Sequence, residues 1–376
     1  MKARTRIAIA CQGGGSQTAF TAGALKALCE AEAEVREAFE VVSISGTSGG
    51  AVCAALLWYS YMKGEHPLWE RLINFWHENT AHGWAEEAFN DWVINLIRMI
   101  NSGMLPAFQI SPSSPMMQMM MQFAGTIYRK DFLDFPTLLR KYIDFDEVAS
   151  WGARASRPVL MVGASNVSSG KMVKFVSTHE PIRIEHILAS CAVPTIFAPV
   201  RIGDDVFWDG LFSDNPPVEE LVRPRSVGID NIPEEIWLIK INPTARKLPP
   251  MELDDILDRR NQLEGNISLF HQLGYVETIN DLILFGAFRP EFLAQLDIRS
   301  PIRIPKSFSA DPDKPYHIPC IEMSAEIQAK LDYEGKLDRG ARNIDYLIAE
   351  GERSALRFLK ERAAILDAES PRRANA

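Results

Sequence analysis

The N-terminal part of the chain alternates short apolar runs with longer apolar segments of helical spacing. The runs at 6–10 and 38–45 are short and rich in alanine, isoleucine and valine, so they predict buried strands. The segments at 18–31 and 49–64 have helical spacing, and the second is apolar on nearly all sides, so they predict helices. Strand, turn and helix repeated in this order predict right-handed βαβ units. The predicted fold class is therefore α/β, with a mainly parallel central sheet flanked by helices.

The rest of the chain continues this mixture, and residues 67–150 are mostly of helical pattern. The later predicted elements are hairpins at 157–177 and 200–210, a helix at 182–194, a buried strand at 235–243, a helix at 252–285, a strand at 317–324 and an amphipathic helix at 338–366. The final residues, 367–376, predict a disordered tail. No internal repeat or interdomain linker interrupts the pattern, so we expect a single domain over 1–376.

Composition and charge narrow the class of protein. The chain of 376 residues is 47% hydrophobic and 24% charged, which is typical of a globular protein with a large core. A net charge of −9 argues against nucleic acid as a partner. The five cysteines are far apart and form no CxxC pair, which favours a reducing compartment, so we expect a cytoplasmic protein. No apolar run is long enough for a membrane-spanning helix.

A glycine-rich turn, CQGGGSQTAF, follows the first predicted strand. Turns of this kind bring a ligand or a reacting group close to the backbone. Gly13 and Gly15 fit a dinucleotide-binding GxGxxG turn, but Thr18 replaces the last glycine and the second strand does not end in an acidic residue. The sequence therefore disfavours a nucleotide, and no cofactor is predicted. The alternative is that glycine N–H groups bind an oxyanion formed during a reaction.

The pentapeptide GTSGG (46–50) fits GxSxG, the pattern of a nucleophile elbow. It lies at a predicted junction of strand and helix, which is the context that an elbow requires. Ser48 is therefore expected at the carboxyl edge of the sheet, facing the positive end of the following helix. A helix N-cap serine is the alternative interpretation.

A serine nucleophile needs a base, and the seven histidines are poorly placed for that role. In α/β-hydrolases the histidine follows a late strand, whereas His317 precedes its predicted strand. Asp209 is the better candidate because it ends an apolar hairpin strand, next to Trp208 and Gly210. An ordinary Asp-Gly turn is the alternative, and Asp214 ranks second as the base.

Together these stretches resemble the patatin-like phospholipases, lipid acyl hydrolases that use a Ser–Asp dyad. The glycine loop and its helix correspond to GGGSQTAFTAGALKAL (13–28), and the elbow corresponds to GTSGG (46–50). The segment ASCAVPTIFAPV (189–200) precedes the aspartate, which stands in Asp-Gly-Leu. Order and spacing agree over 6–243, so the resemblance implies a patatin-like core there and a helical extension packed on it over 244–366.

The resemblance implies a role for each motif residue. Ser48 would attack an ester carbonyl, and Asp209 would accept the serine proton. Burial beside Trp208 and Leu211 is expected to raise the pKa of Asp209. The implied oxyanion donors are the backbone N–H groups of Gly13, Gly14, Gly15 and Gly49, and the glycines that support the motifs are Gly46, Gly50 and Gly210.

The implied activity is that of a phospholipase A or lysophospholipase-type esterase acting through an acyl-serine intermediate. Acyl transfer to an alcohol on the same dyad, and lipid binding without turnover, are the alternatives. The expected partner is a phospholipid or another acyl ester. Three departures from the family pattern are Gln17, where many members carry Arg or Lys, Thr18, where many carry Gly, and Leu211, where a small residue is usual.

Two features remain outside these motifs. The stretch 99–123 holds seven of the thirteen methionines, and it predicts a mobile lid, a patch that contacts a membrane peripherally, or an ordinary packed helix. The acidic stretches 311–315 and 254–258 are interpreted as solvated charges and not as calcium ligands, so no metal is predicted. The lipid head group, the acyl chain and the oligomeric state do not follow from the sequence.

Overall fold

The computed structural model describes residues 4–31, 38–106, 111–154, 156–194, 196–246, 249–305, 317–318, 320–329 and 331–373. The strands are β1 (Thr5–Cys11), β2 (Phe39–Gly46), β3 (Val159–Asn166), β4 (Met172–Val176), β5 (Val200–Ile202), β6 (Asp205–Asp209), β7 (Glu235–Lys240), β8 (Ile304–Pro305), β9 (His317–Ile318) and β10 (Ile321–Glu322). Eight of them form the central sheet, and β8 pairs with β9 separately.

The central sheet has the strand order β10-β7-β1-β2-β3-β6-β5, with β4 also paired to β3. The five strands from β10 to β3 are parallel. The pairings of β3 with β4, β3 with β6 and β5 with β6 are antiparallel. This arrangement confirms the predicted α/β class with a mainly parallel central sheet, and the two predicted hairpins supply its antiparallel side.

Helices pack on both faces of the sheet. In chain order they are α1 (Ala19–Glu30), α2 (Gly49–Lys63), α3 (Glu70–Glu78), α4 (Gly83–Asn101), α5 (Pro115–Ala124), α6 (Lys130–Leu133), α7 (Phe135–Tyr142), α8 (Phe145–Trp151), α9 (Ile184–Ser190), α10 (Pro224–Val227), α11 (Leu253–Leu284), α12 (Pro290–Gln295), α13 (Ala325–Gln328) and α14 (Ala341–Arg373). Within the described ranges no helix combines the length and the apolar character needed to cross a membrane.

Strand β1 lies in the middle of the core and is buried on both faces. Ile7 and Ile9 belong to a cluster that includes side chains of α1, α2 and α14. Ala8 and Ala10 point to the other face, where they join side chains of α11. Strand β1 lies between β2 and β7, so the segment that follows it begins in the middle of the sheet.

The C-terminal part of the chain is built into this core. Strand β10 extends the sheet beside β7, and α14 packs along α1. Arg362 of α14 donates two hydrogen bonds of 2.9 Å to the buried carboxylate of Glu235, which begins β7. Glu235 also accepts a hydrogen bond of 2.9 Å from Trp237 Nε1 and lies 3.8 Å from Arg303 Nε, so Arg362 is part of a buried polar network.

The tail prediction was wrong for part of its length. Helix α14 continues to Arg373, so residues 367–373 are helical where the sequence predicted disorder. A helix that is already formed extends at low cost through residues such as alanine, leucine and glutamate, which make up five of the seven residues of 363–369. Residues 374–376 lie outside the described part of the chain.

Two glycines determine how closely α1 and α14 approach. A Cβ atom added at Gly23 would lie 1.9 Å from the carbonyl oxygen of Ile348, and one added at Gly351 would lie 2.0 Å from that of Phe20. Both contacts are with backbone atoms, so the helices would have to separate to admit a side chain.

Replacing Gly351 by alanine should therefore destabilise the protein. We expect the Gly351→Ala free energy of unfolding to fall by about 1–3 kcal/mol, because the added methyl group overpacks the α1–α14 contact. Gly274→Ala is the matched control, since Gly274 also lies within a helix but has open space around it. That variant should gain about 0.5–1 kcal/mol from helix propensity. Urea unfolding of both variants measures the difference, and effects of equal sign and size would contradict this account.

Candidate active site

Ser48 lies at the turn between β2 and α2, as expected for an elbow. Its backbone has φ 54° and ψ −131°, a left-handed conformation that is strained for a residue with a side chain. A Cβ atom at Gly46 would lie 2.4 Å from the carbonyl oxygen of Gly50, and one at Gly50 would lie 2.3 Å from that of Cys11. Ser48 does occupy the N-cap position of α2, but its side chain makes no cap hydrogen bond to the helix, so capping does not account for the serine.

A second serine holds the elbow in this conformation. The backbone N–H of Ser48 donates to Ser190 Oγ at 2.9 Å, and the Ser190 hydroxyl donates to the carbonyl oxygen of Gly163 at 2.6 Å. Ser190 ends α9, and Gly163 lies in β3. The elbow is thus tied to the next strand and to the helix before β5. The sequence analysis did not single out Ser190, although it lies inside the quoted motif at 189–200.

The sheet register brings Asp209 to the same edge as Ser48. Gly46, which ends β2, pairs with Val162 of β3. Strand β3 continues past the end of β2, and its Ala164 pairs with Asp209, the last residue of β6. Residues 48 and 209 are therefore neighbours because β3 pairs first with β2 and then with β6. The backbone N–H of Asp209 also donates to the carbonyl oxygen of Ala192 at 2.9 Å.

The carboxylate of Asp209 is fully buried and only half satisfied. Its Oδ1 accepts a hydrogen bond of 2.8 Å from the N–H of Leu211, while Oδ2 has no partner among the residues that the structure describes. Burial raises the pKa of Asp209 to about 7, and the Leu211 N–H, the Ser48 hydroxyl and the charge of Lys336 lower it by smaller amounts. The Ser48 hydroxyl is near the carboxylate, although no hydrogen bond of normal geometry joins the two side chains.

The neighbours of Asp209 differ in part from those expected. Trp208 points away from the core and is exposed, since successive strand residues face opposite sides of the sheet. Leu211 does line the cavity beside the carboxylate. A Cβ atom at Gly210 would lie 2.5 Å from the carbonyl oxygen of Gly163, which explains the glycine after the aspartate.

The second-ranked acid and the histidines have other contacts. Asp214 Oδ2 forms an ion pair of 2.5 Å with Lys174 Nζ, and the Asp214 carbonyl oxygen accepts a hydrogen bond of 2.6 Å from the Thr47 hydroxyl. His186 is buried against the ring of Phe175, and burial lowers its pKa to about 3. None of the described residues that line the cavity beside Ser48 is a histidine.

The glycine loop lies over the elbow, but its N–H groups are not equivalent. A Cβ atom at Gly13 would lie 2.8 Å from Ser48 Cβ, so the loop and the serine are in contact. The N–H of Gly13 donates to Asn215 Oδ1 at 2.7 Å. Gly13 was therefore wrongly predicted as an oxyanion donor, because its N–H already has a buried acceptor. The N–H groups of Gly14, Gly15 and Gly49 donate to no acceptor within the described part of the chain.

Buried amide side chains fix the position of this loop. Gln12 Oε1 accepts hydrogen bonds from the N–H groups of Ile241 and Asn242, at 2.8 and 2.9 Å. Gln12 Nε2 donates to the carbonyl oxygen of Gly265 at 3.2 Å and to Asn266 Oδ1 at 2.9 Å. The start of the loop is thus tied to the end of β7 and to α11. A glutamine beside three glycines gave no signal of this role in the sequence.

A cavity of about 330 Å³ opens above Ser48 and Asp209, and most of its wall is apolar. The apolar wall includes Val52, Phe75, Trp76, Phe132, Leu133, Phe135, Val193, Ile196, Phe197, Leu211 and Phe212. Residues of the C-terminal extension, Tyr333, Lys336, Leu337 and Arg339, close one side. The sequence analysis did not anticipate that the extension reaches the site.

The stretches 254–258 and 311–315 were both interpreted as solvated charges, and the structure describes only the first of them. Within 254–258, Asp258 is half-buried, and its Oδ1 accepts a hydrogen bond of 2.7 Å from the N–H of Tyr333. Burial is the main cause that raises the pKa of Asp258 to about 6, so its interpretation as a solvated charge was wrong. The stretch 311–315 lies outside the described residues. Across the described ranges, no group of His, Cys, Asp and Glu could hold a metal ion.

The methionine stretch is exposed. No residue of α5 is buried, so the packed-helix interpretation was wrong. Four methionines and a phenylalanine of α5 have exposed side chains, and we call them the methionine patch: Met116, Met119, Met120, Met121 and Phe123. Residues 107–110 of the stretch lie outside the described part of the chain, and none of its other residues lines the cavity.

Comparison with known proteins assigns the family. The model of the patatin-like phospholipase family matches residues 9–222, more than half of the chain, so the protein belongs to the patatin-like phospholipases. It is thus a lipid acyl hydrolase in the general sense of that family. Among solved structures, the chain is similar to VipD from Legionella pneumophila, with 15% sequence identity, a TM-score of 0.38, and coverage of 95% of this chain and 67% of that one. No curated protein matches the sequence.

The buried carboxylate should make stability depend on pH. Because the pKa of Asp209 is about 7 in the folded protein and close to 3.8 in the unfolded chain, the folded state binds the extra proton between these values. Stability is therefore lost as the pH rises through this window. Asp209→Asn stays neutral, so it should be more stable than the wild type above about pH 7, and this advantage should vanish near about pH 4.

Urea unfolding at several pH values measures this difference. Asp205→Asn, at the exposed start of the same strand, is the control and should stay within about 0.5 kcal/mol of the wild type throughout. A constant difference between Asp209→Asn and the wild type would show that Asp209 is not a desolvated, titrating carboxyl.

Proposed function

We propose that the protein is a serine esterase of the phospholipase A or lysophospholipase type, with Ser48 as nucleophile and Asp209 as general base. One observation carries the proposal. A serine on a strained elbow lies beside a buried carboxylate, and both open into an apolar cavity. The second oxygen of that carboxylate has no hydrogen-bond partner among the described residues. A nucleophile and a base need this proximity, and the unpaired oxygen is free to accept a proton.

In the first half of the reaction, Ser48 Oγ attacks the ester carbonyl carbon and its proton passes to Asp209 Oδ2. The negative oxygen of the tetrahedral intermediate is stabilised by the N–H groups of Gly14, Gly15 and Gly49, which have no other acceptor among the described residues. The intermediate collapses, the bond to the alcohol oxygen breaks, and that oxygen takes the proton from Asp209. The acyl group is left on Ser48.

In the second half, Asp209 accepts a proton from water, and the water oxygen attacks the acyl-serine. The same three N–H groups stabilise the second intermediate, and the proton returns to Ser48 as the fatty acid leaves. The buried setting supports this base, since a pKa of about 7 is far better matched to neutral pH than that of a solvated aspartate. The apolar wall of the cavity suits the acyl chain, and its volume of about 330 Å³ lies within the usual range for ligand pockets.

Replacement of either residue of the pair should abolish turnover. We expect Ser48→Ala and Asp209→Asn each to lower the hydrolysis of a p-nitrophenyl acyl ester by roughly a thousandfold or more. The wild-type rate should rise with pH through the ionisation of Asp209, near pH 7, because only the carboxylate accepts a proton. Ser16→Ala, in the same cavity, is the control and should stay active.

A fluorophosphonate probe gives an independent measurement, because it should label Ser48 and lose its target in Ser48→Ala. Turnover retained in either variant would remove that residue from the mechanism, and absence of labelling in the wild type would favour lipid binding without catalysis. Product analysis with glycerol present separates release of the fatty acid from acyl transfer to an alcohol.

We also propose that the methionine patch brings the protein to a lipid surface. Flexible apolar side chains on an exposed helix can insert into the boundary between head groups and acyl chains. The side chains of Met116, Met119, Met120 and Met121 are between 44% and 65% exposed. Moving this apolar surface from water into a lipid layer is favourable and would stabilise binding to the membrane.

The double variant Met119→Ser/Met120→Ser should therefore bind liposomes more weakly, by about tenfold or more in the partition coefficient. Hydrolysis of a soluble p-nitrophenyl ester should change little, because the patch does not line the cavity. Tyr346→Ser/Leu356→Ser, which removes two exposed apolar side chains from α14, is the matched control. Sedimentation with liposomes measures binding, and equal losses in the two double variants would argue against a dedicated membrane patch.

A further inference from the structure

The C-terminal extension supplies a positively charged wall to the cavity. Residues 333–339 lie far beyond the segment that the family model matches, which ends at 222. Four of these residues line the cavity together with Ser48 and Asp209. Lys336 and Arg339 are the cationic side chains among the described lining residues. The acidic residues that line the same cavity, Asp131, Asp209 and Glu264, lie outside the segment 333–339, so the positive charge is confined to the side formed by the extension.

The segment is docked on the glycine loop itself. A Cβ atom at Gly15 would lie 2.2 Å from the carbonyl oxygen of Lys336, so the two backbones are in contact. Gln17 Nε2 donates to the carbonyl oxygen of Asp332 at 3.0 Å. Gln17 is the position at which many family members carry a cationic residue, and here its amide holds the segment that brings a lysine instead.

The ammonium group of Lys336 has unused hydrogen-bonding capacity. Its Nζ donates to Asn242 Oδ1 at 3.2 Å, a neutral acceptor, and forms no ion pair with any carboxylate in the described ranges. Burial lowers the pKa of Lys336 to about 8, while Asp258 and Asp209 act to raise it from a longer distance. The group therefore remains largely charged at neutral pH and has donors left for a ligand.

Arg339 is held mainly by the protein. Its Nε and Nη1 donate to the carbonyl oxygens of Asn79 and Phe132, at 2.8 and 2.7 Å, and its guanidinium lies 3.9 Å from the centre of the Phe132 ring. Its Nη2 has no hydrogen-bond partner among the described residues, so Arg339 also keeps a donor. Lys336 is nevertheless the better placed of the two cations, because its backbone contacts Gly15 and its charge acts on Asp209.

The sheet topology sets the position of Lys336 relative to the serine. Strand β1, which leads into the glycine loop, lies between β2 and β7. Ser48 follows β2, and Asn242, the partner of Lys336, follows β7. Two strand spacings separate these ends, or about 10 Å. A cation held beside Asn242 can therefore contact a substrate group that is only a few bonds away from the ester carbonyl at Ser48.

We infer that Lys336 binds the phosphate group of a phospholipid substrate while the ester lies at Ser48. In a glycerophospholipid the phosphate is separated from an acyl carbonyl by a short stretch of the glycerol backbone, and it carries a negative charge that an ammonium group can bind with charge-assisted hydrogen bonds. This inference rests on the proposed function for its catalytic meaning. It makes Lys336 a specificity residue that favours phospholipids over neutral esters.

The test separates binding from turnover. In the Ser48→Ala background, calorimetric titration with a short-chain phosphatidylcholine below its micelle concentration should show roughly tenfold to hundredfold weaker binding when Lys336→Met is added. Lys336→Arg should retain most of the affinity. Lys360→Met, which removes an exposed charge from α14 near the opposite edge of the sheet, should bind as the parent does.

With Ser48 restored, the ratio of kcat/KM for the phosphatidylcholine to kcat/KM for the diacylglycerol with the same acyl chains should fall by a similar factor in Lys336→Met, mainly through KM. An unchanged ratio, or an unchanged affinity in the Ser48→Ala background, would overturn the inference. If the wild type cleaves neither lipid but the titration still depends on Lys336, the proposed catalysis fails and the phosphate site stands.

Discussion

The burial of the Asp209 carboxylate is the constraint on which the rest of the site depends. A carboxylate without an ion pair is costly to bury, and one backbone hydrogen bond from Leu211 compensates only part of that cost. The surrounding structure therefore holds Asp209 in place, although its carboxylate would be more stable in water. Pairing with β3 on one side and the hydrogen bond to Ala192 on the other hold the residue beside Ser48. The unfavourable burial of the charged carboxylate raises the pKa of Asp209, and a general base that acts near neutral pH needs a raised pKa.

The same reasoning explains which N–H groups of the glycine loop are available. A buried N–H normally has an acceptor, and Gly13 follows this rule by donating to Asn215. The following N–H groups lack one in the described structure because the loop turns towards the cavity at Gly15, where φ is 57°. The amide of Gln12 holds the loop from below, so its open donors do not relax towards other partners. A preorganised oxyanion site requires two things: hydrogen bonds that hold the loop in place, and N–H groups that still lack an acceptor. The loop has both, since Gln12 holds it from one side and its free N–H groups face the cavity on the other.

Much of the fold and the elbow around Ser48 could be predicted because their signals are local. The apolar runs, the helix periods and GTSGG depend on residues adjacent in the chain, and the elbow combines a strand, a turn and a helix within 39–63. Asp209 required the family resemblance, since Asp-Gly alone also fits a turn. Ser190, Asn215 and Lys336 could not be found in this way, because the residues that they contact at the site are distant in the sequence. The helical end of α14 was missed for another reason. Disorder of a short polar segment is predicted from its composition alone, whereas a helix that is already formed can extend through such a segment.

The position of the C-terminal extension bears on how specificity arises in this protein. The family model ends at 222, and the residues that it covers include the proposed nucleophile, the proposed base and the proposed oxyanion loop. The wall facing them comes from 333–339, a segment held by a backbone contact to Gly15 and by strand β10 and helix α14 on either side. A chain can therefore keep the reacting groups constant and alter its substrate through a segment that the family pattern does not describe. Gln17 fits this division of roles, because its side-chain amide holds the segment that carries Lys336 against the glycine loop.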